Sequence, residues 1–395
     1  MRMAKAKTWV LTDVSTGTWI DKIQLTAKQL GITGASGVSV KKRTLHGGVS
    51  DGVDVVEICN GPFTFTIVPT RGMGFWRGTY KGLPVGWKSP VSGPVNPKFV
   101  NLSDRGGLGW LTGFDECVVR CGLESNGAPG KDLIPNNNGK PVEMDLNLHG
   151  RIANLPAHYV ALQVVPGDPA EICLVGIVDE VMMFGQQFRL TTRISTHVGS
   201  DTITLADEIT NCKSVEAEME LLYHANFGAP FLEQGARLVL PFTDVVPRDA
   251  RAAEDLRTWE TYRGPISGYV EQCYFLTPKG DARGNSLALL RNAPGDRGVA
   301  VRFRVSELPC FTQWKCCGAE SDGYVTGLEP GTNFPNPRQI ERQHQRTVRM
   351  APGARYTATL AIQVCDTAAS VRAREAEIAR IQGGVHPKLP IRREK

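Results

Sequence analysis

Hydrophobic and polar residues alternate over short runs along most of this chain, the two-residue period of strands that bury one face. Val55 to Cys59 and Phe63 to Val68 flank Asn60-Gly61, which predicts a hairpin around an Asn-Gly turn. From Ala157 to Leu222 the strand pattern is almost continuous. His158 to Val165 breaks at Pro166-Gly167-Asp168-Pro169, and Ile172 to Met183 and Phe188 to Thr196 are separated by Gly185-Gln186. Thr202 to Thr210 alternates again after the Gly199-Ser200-Asp201 turn, and Val299 to Val305 and Thr357 to Val364 are two further strands. Serial strands spaced ~10–12 residues apart predict sheets packed on one another, not βαβ units.

Three stretches depart from that pattern. Lys22 to Leu30 reads as a short helix or as the start of a strand-and-turn lead-in. Glu124 to Pro141 carries Asn126-Gly127-Ala128-Pro129-Gly130 and Asn136-Asn137-Asn138-Gly139, and reads as a long irregular loop of the functional or mobile kind. Ala368 to Ile381 places Ala368, Val371, Ile378 and Ile381 at helical spacing, with Glu375 interrupting the stripe, before a Gly383-Gly384 stop. His386 to Lys395 is then a loose tail. No linker, internal repeat or low-complexity tract divides the chain. The expectation is one all-β domain over residues 1–395, with a lead-in over 1–48, a core over 49–366 and a helix and tail over 367–395.

Composition changes this picture little. The 395 residues are 41% hydrophobic and 22% charged, with 42 glycines and 25 prolines, which suits many strands and turns. The formal charge of +5 is spread along the chain. Lys41-Lys42-Arg43 and Arg392-Arg393 are too short for a nucleic-acid stripe, so no nucleic-acid partner is expected. The apolar stretch after Met1 to Lys7 is too short for a signal-peptide core, and no window approaches a membrane span. A cytoplasmic location without a membrane partner follows as the expectation. Ten cysteines include no Cys-x-x-Cys, so buried free thiols are expected. Cys117 with Cys121 supplies at most one half of a zinc ligand set, and no metal is expected.

Chemistry is concentrated in three segments: Leu148-His149-Gly150-Arg151, Leu222-Tyr223-His224-Ala225-Asn226-Phe227 and Gly327-Leu328-Glu329-Pro330-Gly331. Together they supply two imidazoles and a carboxylate at strand ends, a set suited to proton transfer. Taken singly, each has a structural alternative: a turn glutamate held by backbone N–H groups, or a structural histidine. Arg71, Arg120 and Lys315 beside glycines or aromatics, and Asp115 in Gly-Phe-Asp-Glu, are candidate substrate contacts. Trp76, Trp110 and Trp314 are candidate stacking or core residues. Gly48-Val49-Ser50-Asp51-Gly52 has the letters of a serine elbow but neither the preceding strand nor the following helix.

In chain order these motifs resemble the aldose 1-epimerase (galactose mutarotase) superfamily, and most closely its bacterial branch of aldose-1-epimerase-like proteins of unknown function. Leu148-His149-Gly150 is similar to the family's Leu-His-Gly segment. Thr210-Asn211 with Leu222 to Phe227 is similar to its Thr-Asn…His-x-x-Phe-Asn segment. Gly327-Leu328-Glu329-Pro330 is similar to the strand bearing its catalytic glutamate, and Thr70-Arg71-Gly72-Met73-Gly74 to a substrate-positioning segment. The resemblance spans Asp54 to Asp366. It implies a large antiparallel β-supersandwich with a short C-terminal helix, and interconversion of sugar anomers without a cofactor. Glu329 would take the proton from the C1 hydroxyl, and His224 would protonate the ring oxygen. His149 would hold or polarise the sugar from the other side, and the chemistry is expected to need base and acid on opposite sides of one ring. The implied partner is a small carbohydrate.

The chain also departs from the family. Arg151-Ile152-Ala153-Asn154 follows the first motif in place of a second glycine and a downstream tryptophan. Leu45-His46-Gly47-Gly48 has the second glycine but precedes the first clear hairpin. Ala225-Asn226-Phe227-Gly228 replaces the usual aromatic, Phe and Asn, and Asn226 is carried as a substrate contact. Arg71, Arg120, Arg151 and Lys315 would suit a phosphorylated or acidic sugar. The rival readings are another sugar isomerase or lyase on the same scaffold, and a non-catalytic carbohydrate-binding module.

Overall fold

A computed structural model of the chain describes residues 6–34, 36–135 and 137–384. The expected tail over His386–Lys395 lies outside the described residues, as do Met1–Lys5.

Two large antiparallel sheets face each other. One holds ten strands, with Thr202–Asn211, Gln187–His197, Glu171–Val181 and Tyr159–Val165 as neighbours at its centre and Arg355–Cys365 on the other side of Thr202–Asn211. Their alternation is the one read from the sequence. Along Thr202–Asn211 every second residue is buried, beginning with Ile203 and Leu205. The second sheet has thirteen strands. Its path runs from Phe242–Pro247 through Gln272–Pro278, Cys310–Cys316, Val325–Gly331, Ala217–Phe227, Val118–Leu123, Gly74–Tyr80, Phe63–Val68 and Asp54–Cys59 to Ser39–Thr44 and Ile23–Thr26. The core lies between the inner faces, where Leu162, Leu174, Leu205 and Leu360 of one sheet meet Phe65, Phe75, Leu221 and Tyr223 of the other. This is the expected all-β sandwich of antiparallel strands, closed by a C-terminal helix over Ala368–Gln382. Thr367 caps that helix, Gly383 at φ 70° ends it, and Val371 and Ile378 pack on Leu287 and Leu289.

The Asn60-Gly61 hairpin forms as predicted, with Val56 opposite Ile67 and Ile58 opposite Phe65. Lys22 to Leu30 resolves into a strand, Ile23–Thr26, followed by one helical turn, Ala27–Leu30. The expected loop over Glu124–Pro141 is corrected in part. Gly130–Pro135 pairs with Pro141–Leu146 as a two-stranded hairpin standing off both large sheets. Its strands escape the sequence pattern because they bury little: Lys131, Leu133, Val142 and Glu143 are exposed. Among the described residues no helix is long and apolar enough to cross a membrane.

A few strands differ from the rest in being covered on both faces. Val118–Leu123 and Val325–Gly331 are buried throughout, and Ala217–Phe227 is buried from Met219 onward. Their inner faces meet the core. Their outer faces are roofed by the segments around Trp110, Pro129, Leu148 and Pro335, and the candidate site lies under that roof.

Candidate active site

Side-chain alternation sorts these strands into two faces. Ala225 pairs with Leu328 and Asn226 with Gly327, which brings His224 beside Glu329 on the outer face; Thr312 lies directly opposite Glu329 on the next strand. Tyr223, Leu328 and Lys315 point to the other side. The outer-face groups floor a cavity of about 440 Å³, whose lining includes Trp110, Phe114, His149, Trp314 and Arg248. That volume is of small-molecule size, within the ~300–1,000 Å³ range of such sites.

His149 is placed by backbone geometry. Its N–H donates to the Gly127 carbonyl at 2.9 Å and its own carbonyl accepts from Gly122 N–H at 3.1 Å. The residue takes φ 58°, a left-handed conformation that histidine tolerates better than most side chains. Gly150 follows at φ 70°, and a Cβ there would lie 2.2 Å from the Ser125 carbonyl oxygen, so no larger residue fits. The His-Gly pair of the motif thus answers a backbone requirement. His149 Nδ1 lies 2.8 Å from the Asn126 carbonyl, which can only accept, so Nδ1 carries the proton and Nε2 is free. Burial pushes this imidazole down to about 4, so it is neutral at physiological pH.

His224 is oriented by Asn226. The Asn226 amide donates to the Glu116 and His224 carbonyls, both at 3.0 Å, which leaves its Oδ1 to accept from His224 Nδ1 at 2.7 Å. That fixes the Nδ1–H tautomer and turns Nε2 toward Glu329 Oε1, 3.2 Å away. The contact lacks the alignment of a hydrogen bond, and the buried Oε1 has no protein hydrogen-bond partner. Burial drives both groups toward neutrality. It holds Glu329 well above the usual carboxylate range, helped by the Glu271 charge. It holds His224 well below its ordinary value, with His149 adding to the effect. With one proton between them, the pair is either a carboxylic acid beside a neutral imidazole, the pattern burial favours, or a carboxylate beside an imidazolium. Both protonation patterns pair a proton donor with a proton acceptor 3.2 Å apart.

Aromatic rings enclose this pair. Phe114 and Trp314 lie 5.0 and 5.4 Å from the His224 ring, and Trp110 lies 4.6 Å from that of His149. The two imidazoles are 5.3 Å apart. Glu271 accepts from Trp314 Nε1 at 2.6 Å and pairs with Arg248 at 2.9 Å, which fixes the indole at the rim. Among the described residues, no group of three or more His, Cys, Asp or Glu is placed to hold a metal ion.

The structure thus gathers Glu329, His224 and His149 in one cavity, with Asn226 behind His224 as its orienting partner and not as a lining residue. The expected placement of base and acid on opposite sides of a ring is corrected, since Glu329 and His224 sit side by side on adjacent strands. The other expected contacts lie elsewhere. Arg71 is buried against Glu116, the Val95 carbonyl and Asn154. Asp115 accepts from Trp76 Nε1 at 2.7 Å, and burial together with the neighbouring Glu116 charge raises it to about 8. Arg120 is locked between the sheets, donating to both Asp207 oxygens, Thr192 and the Gly72 and Met73 carbonyls. Lys315 donates to the Trp259 and Thr261 carbonyls, and burial lowers it to about 8. Arg151 lines a separate crevice with Glu124 and Met182. His46, the alternative histidine, sits on an exposed turn beside Asp51.

Arg248, Cys273 and Thr312 line the cavity and escaped the sequence reading. Thr312 had a usable signal: it lies two residues from Trp314 and so shares its face.

A family model described as a domain of unknown function, DUF4432, matches residues 50–364. Among solved structures, a candidate aldose 1-epimerase from Klebsiella pneumoniae is 35% identical, with 99% of this chain and 100% of that chain covered and a TM-score of 0.91. A galactose mutarotase-like protein from Clostridium acetobutylicum is 15% identical over 83% and 98% of the two chains, with a TM-score of 0.56. A galactose 1-epimerase from Lactobacillus acidophilus is 12% identical over 83% and 99%, with a TM-score of 0.52. The last two likenesses show the fold. No curated protein matches by sequence.

Proposed function

Because this chain belongs to the DUF4432 family and carries a galactose mutarotase-like β-sandwich, we propose that it is a carbohydrate epimerase of the mutarotase type, working without a cofactor. The observation that carries the reading is the contact of His224 Nε2 with Glu329 Oε1, 3.2 Å apart on the floor of an aromatic-walled cavity.

Ring opening removes a proton from the C1 hydroxyl and delivers one to the ring oxygen. Both oxygens are bonded to the same carbon, so an acid and a base side by side can reach both. In the ion-pair pattern, Glu329 as carboxylate takes the hydroxyl proton and imidazolium His224 donates to the ring oxygen. The C1–ring oxygen bond breaks as the C1 carbonyl forms. Rotation about C1–C2 and the reverse transfers close the ring on the other face. The neutral pattern performs the same exchange with the two roles swapped. In either, Asn226 keeps Nε2 aimed at the reacting atoms. His149, whose bare Nε2 can only accept, takes a hydrogen bond from a sugar hydroxyl beside the pair.

The test is α/β anomer exchange followed by NMR with free sugars, for the wild type and Glu329→Gln. Glutamine keeps the shape of the side chain but neither accepts nor releases the proton, so exchange is expected to fall by ~10²–10⁴-fold. Deuterium entering a carbon position from solvent would assign a carbon-centred isomerase or lyase reaction instead. Binding without any rate enhancement would assign a carbohydrate-binding module.

A further inference from the structure

Of the four residues expected to hold an anion, Arg151 lines a separate crevice and the other three are buried away from the cavity. Arg71 and Arg120 are each 1% exposed and Lys315 2%, and acidic side chains or backbone carbonyls occupy all three. Among the described residues lining the cavity, Arg248 is the one arginine or lysine. Its guanidinium is engaged by Glu271 at 2.9 Å and Asp249 at 2.8 Å, so the rim has little positive charge to offer. A phosphate or a carboxylate entering here would lose its water and gain no free cation, a costly exchange in an apolar site.

The unpartnered polar capacity lies at the floor and on the Trp110 segment of the roof. Thr312 is 1% exposed and its hydroxyl has no protein partner; it stands opposite Glu329, whose Oε1 is also unpartnered. The indole N–H of Trp110, also 1% exposed, lacks a partner too. Buried polar atoms are rarely left unpaired, and three on residues of one cavity point to a ligand that brings its own hydroxyls. The remaining wall, formed largely by leucine and proline side chains such as Leu108, Leu111, Pro335 and Pro337, offers a hydroxyl little.

Building on the epimerase reading of this cavity, we propose that its substrate is a neutral deoxyaldose, and that the Thr312 hydroxyl and the Trp110 indole N–H read the hydroxyls the sugar retains. A methyl or methylene group of the sugar then meets the apolar wall, and the hydroxyl edge carrying C1 meets the floor.

The experiment is anomer exchange by NMR on matched gluco and galacto series, each with the hexose, its 6-deoxy form, its 6-phosphate and its uronic acid. The 6-deoxy sugar is expected to exceed the hexose by ~10- to 100-fold in kcat/KM, the range an apolar pocket shows between an apolar group and a hydroxyl. The two anions should fall below both. Thr312→Val, which keeps the shape and removes the hydroxyl, should lower kcat/KM for the neutral sugars about ten-fold through the loss of one hydrogen bond. The variant's Tm should not fall, because the hydroxyl has no protein partner to lose. Exchange of a phosphate or uronate as fast as the deoxy sugar would overturn the proposal, as would an unchanged kcat/KM in Thr312→Val. If no sugar exchanges above the spontaneous rate, the epimerase reading fails. Saturation-transfer NMR with the same sugars then decides the ligand class alone. Binding in the order deoxy sugar, hexose, anion upholds it, and any other order or no binding overturns it.

Discussion

A single methyl group at Gly327 tests the geometry of the site without touching its chemistry. Gly327 lies two residues before Glu329 on the same face of its strand, and the carboxyl folds back over it. A Cβ built there would lie 2.2 Å from Glu329 Oε1, 3.1 Å from Glu329 Cδ and 3.1 Å from His224 Cε1. The φ of Gly327 is outside the left-handed region, so alanine meets no backbone penalty and the whole effect is steric. Overpacking of one methylene costs ~1–3 kcal/mol. With about 2.1 cal/mol/K of unfolding entropy per residue, a chain of this length should lose ~1–4 °C of Tm for that cost. The cheapest relief is for the Glu329 carboxyl to swing off its rotamer, and a displacement of about 1 Å at a reacting group costs ~10²-fold in rate. Gly327→Ala is therefore expected to melt a few degrees low and to lose about two orders of magnitude in anomer exchange. Gly318→Ala is the control, since its Cβ would meet nothing nearer than 3.8 Å. Wild-type exchange and Tm in Gly327→Ala, or an equal loss in Gly318→Ala, would refute the reasoning.

Two further predictions concern residues outside the cavity. Arg120→Leu leaves Asp207 buried with the Tyr223 hydroxyl, at 2.7 Å, as its remaining strong donor, and should cost ~3–5 kcal/mol in urea unfolding; an unchanged midpoint would show that the pair is not buried as described. Asp115 is raised in the folded protein to about 8, so the stability it contributes is full below its unfolded pKa near 4 and is lost as pH rises through about 8. Asp115→Asn does not titrate, so the wild type should lose stability relative to it across about pH 4–8. Parallel denaturation midpoints at pH 4, 6 and 8 would contradict that shift.

Strands were legible wherever one face meets the core and the other meets solvent, because that asymmetry writes a two-residue period into the chain. Thr202–Asn211 and the hairpin at Asn60-Gly61 are such cases. Gly130–Pro135 and Pro141–Leu146 were not, since a hairpin that buries little carries no clear period, and its asparagine- and proline-rich surroundings dominate the pattern. The C-terminal helix was legible from Val371, Ile378 and its glycine stop, although Glu375 breaks the stripe by pairing with Arg291 at 2.8 Å.

The basic residues show where sequence reasoning fails. An arginine between apolar neighbours has the same local pattern whether it clamps a substrate or neutralises a buried aspartate on the facing sheet. Arg120 and Asp207 are 87 residues apart, and the strand segments alone do not say that they meet. Strand parity did carry information about Lys315, whose neighbour Trp314 faces the cavity and so sends the lysine inward.

What the sequence alone determined is what short-range physics dictates: strand period, turn chemistry at Asn60-Gly61, the capped terminal helix, and the segments bearing His149, His224 and Glu329. What the tertiary structure decided is which of the two strand faces becomes a site. The period of two says that His224 and Tyr223 point apart, but not which of them meets the facing sheet. That choice is made when distant loops roof the outer face, excluding water from Glu329 and His224 and driving both toward neutrality. Their shift toward neutrality is thus a product of packing between segments more than a hundred residues apart.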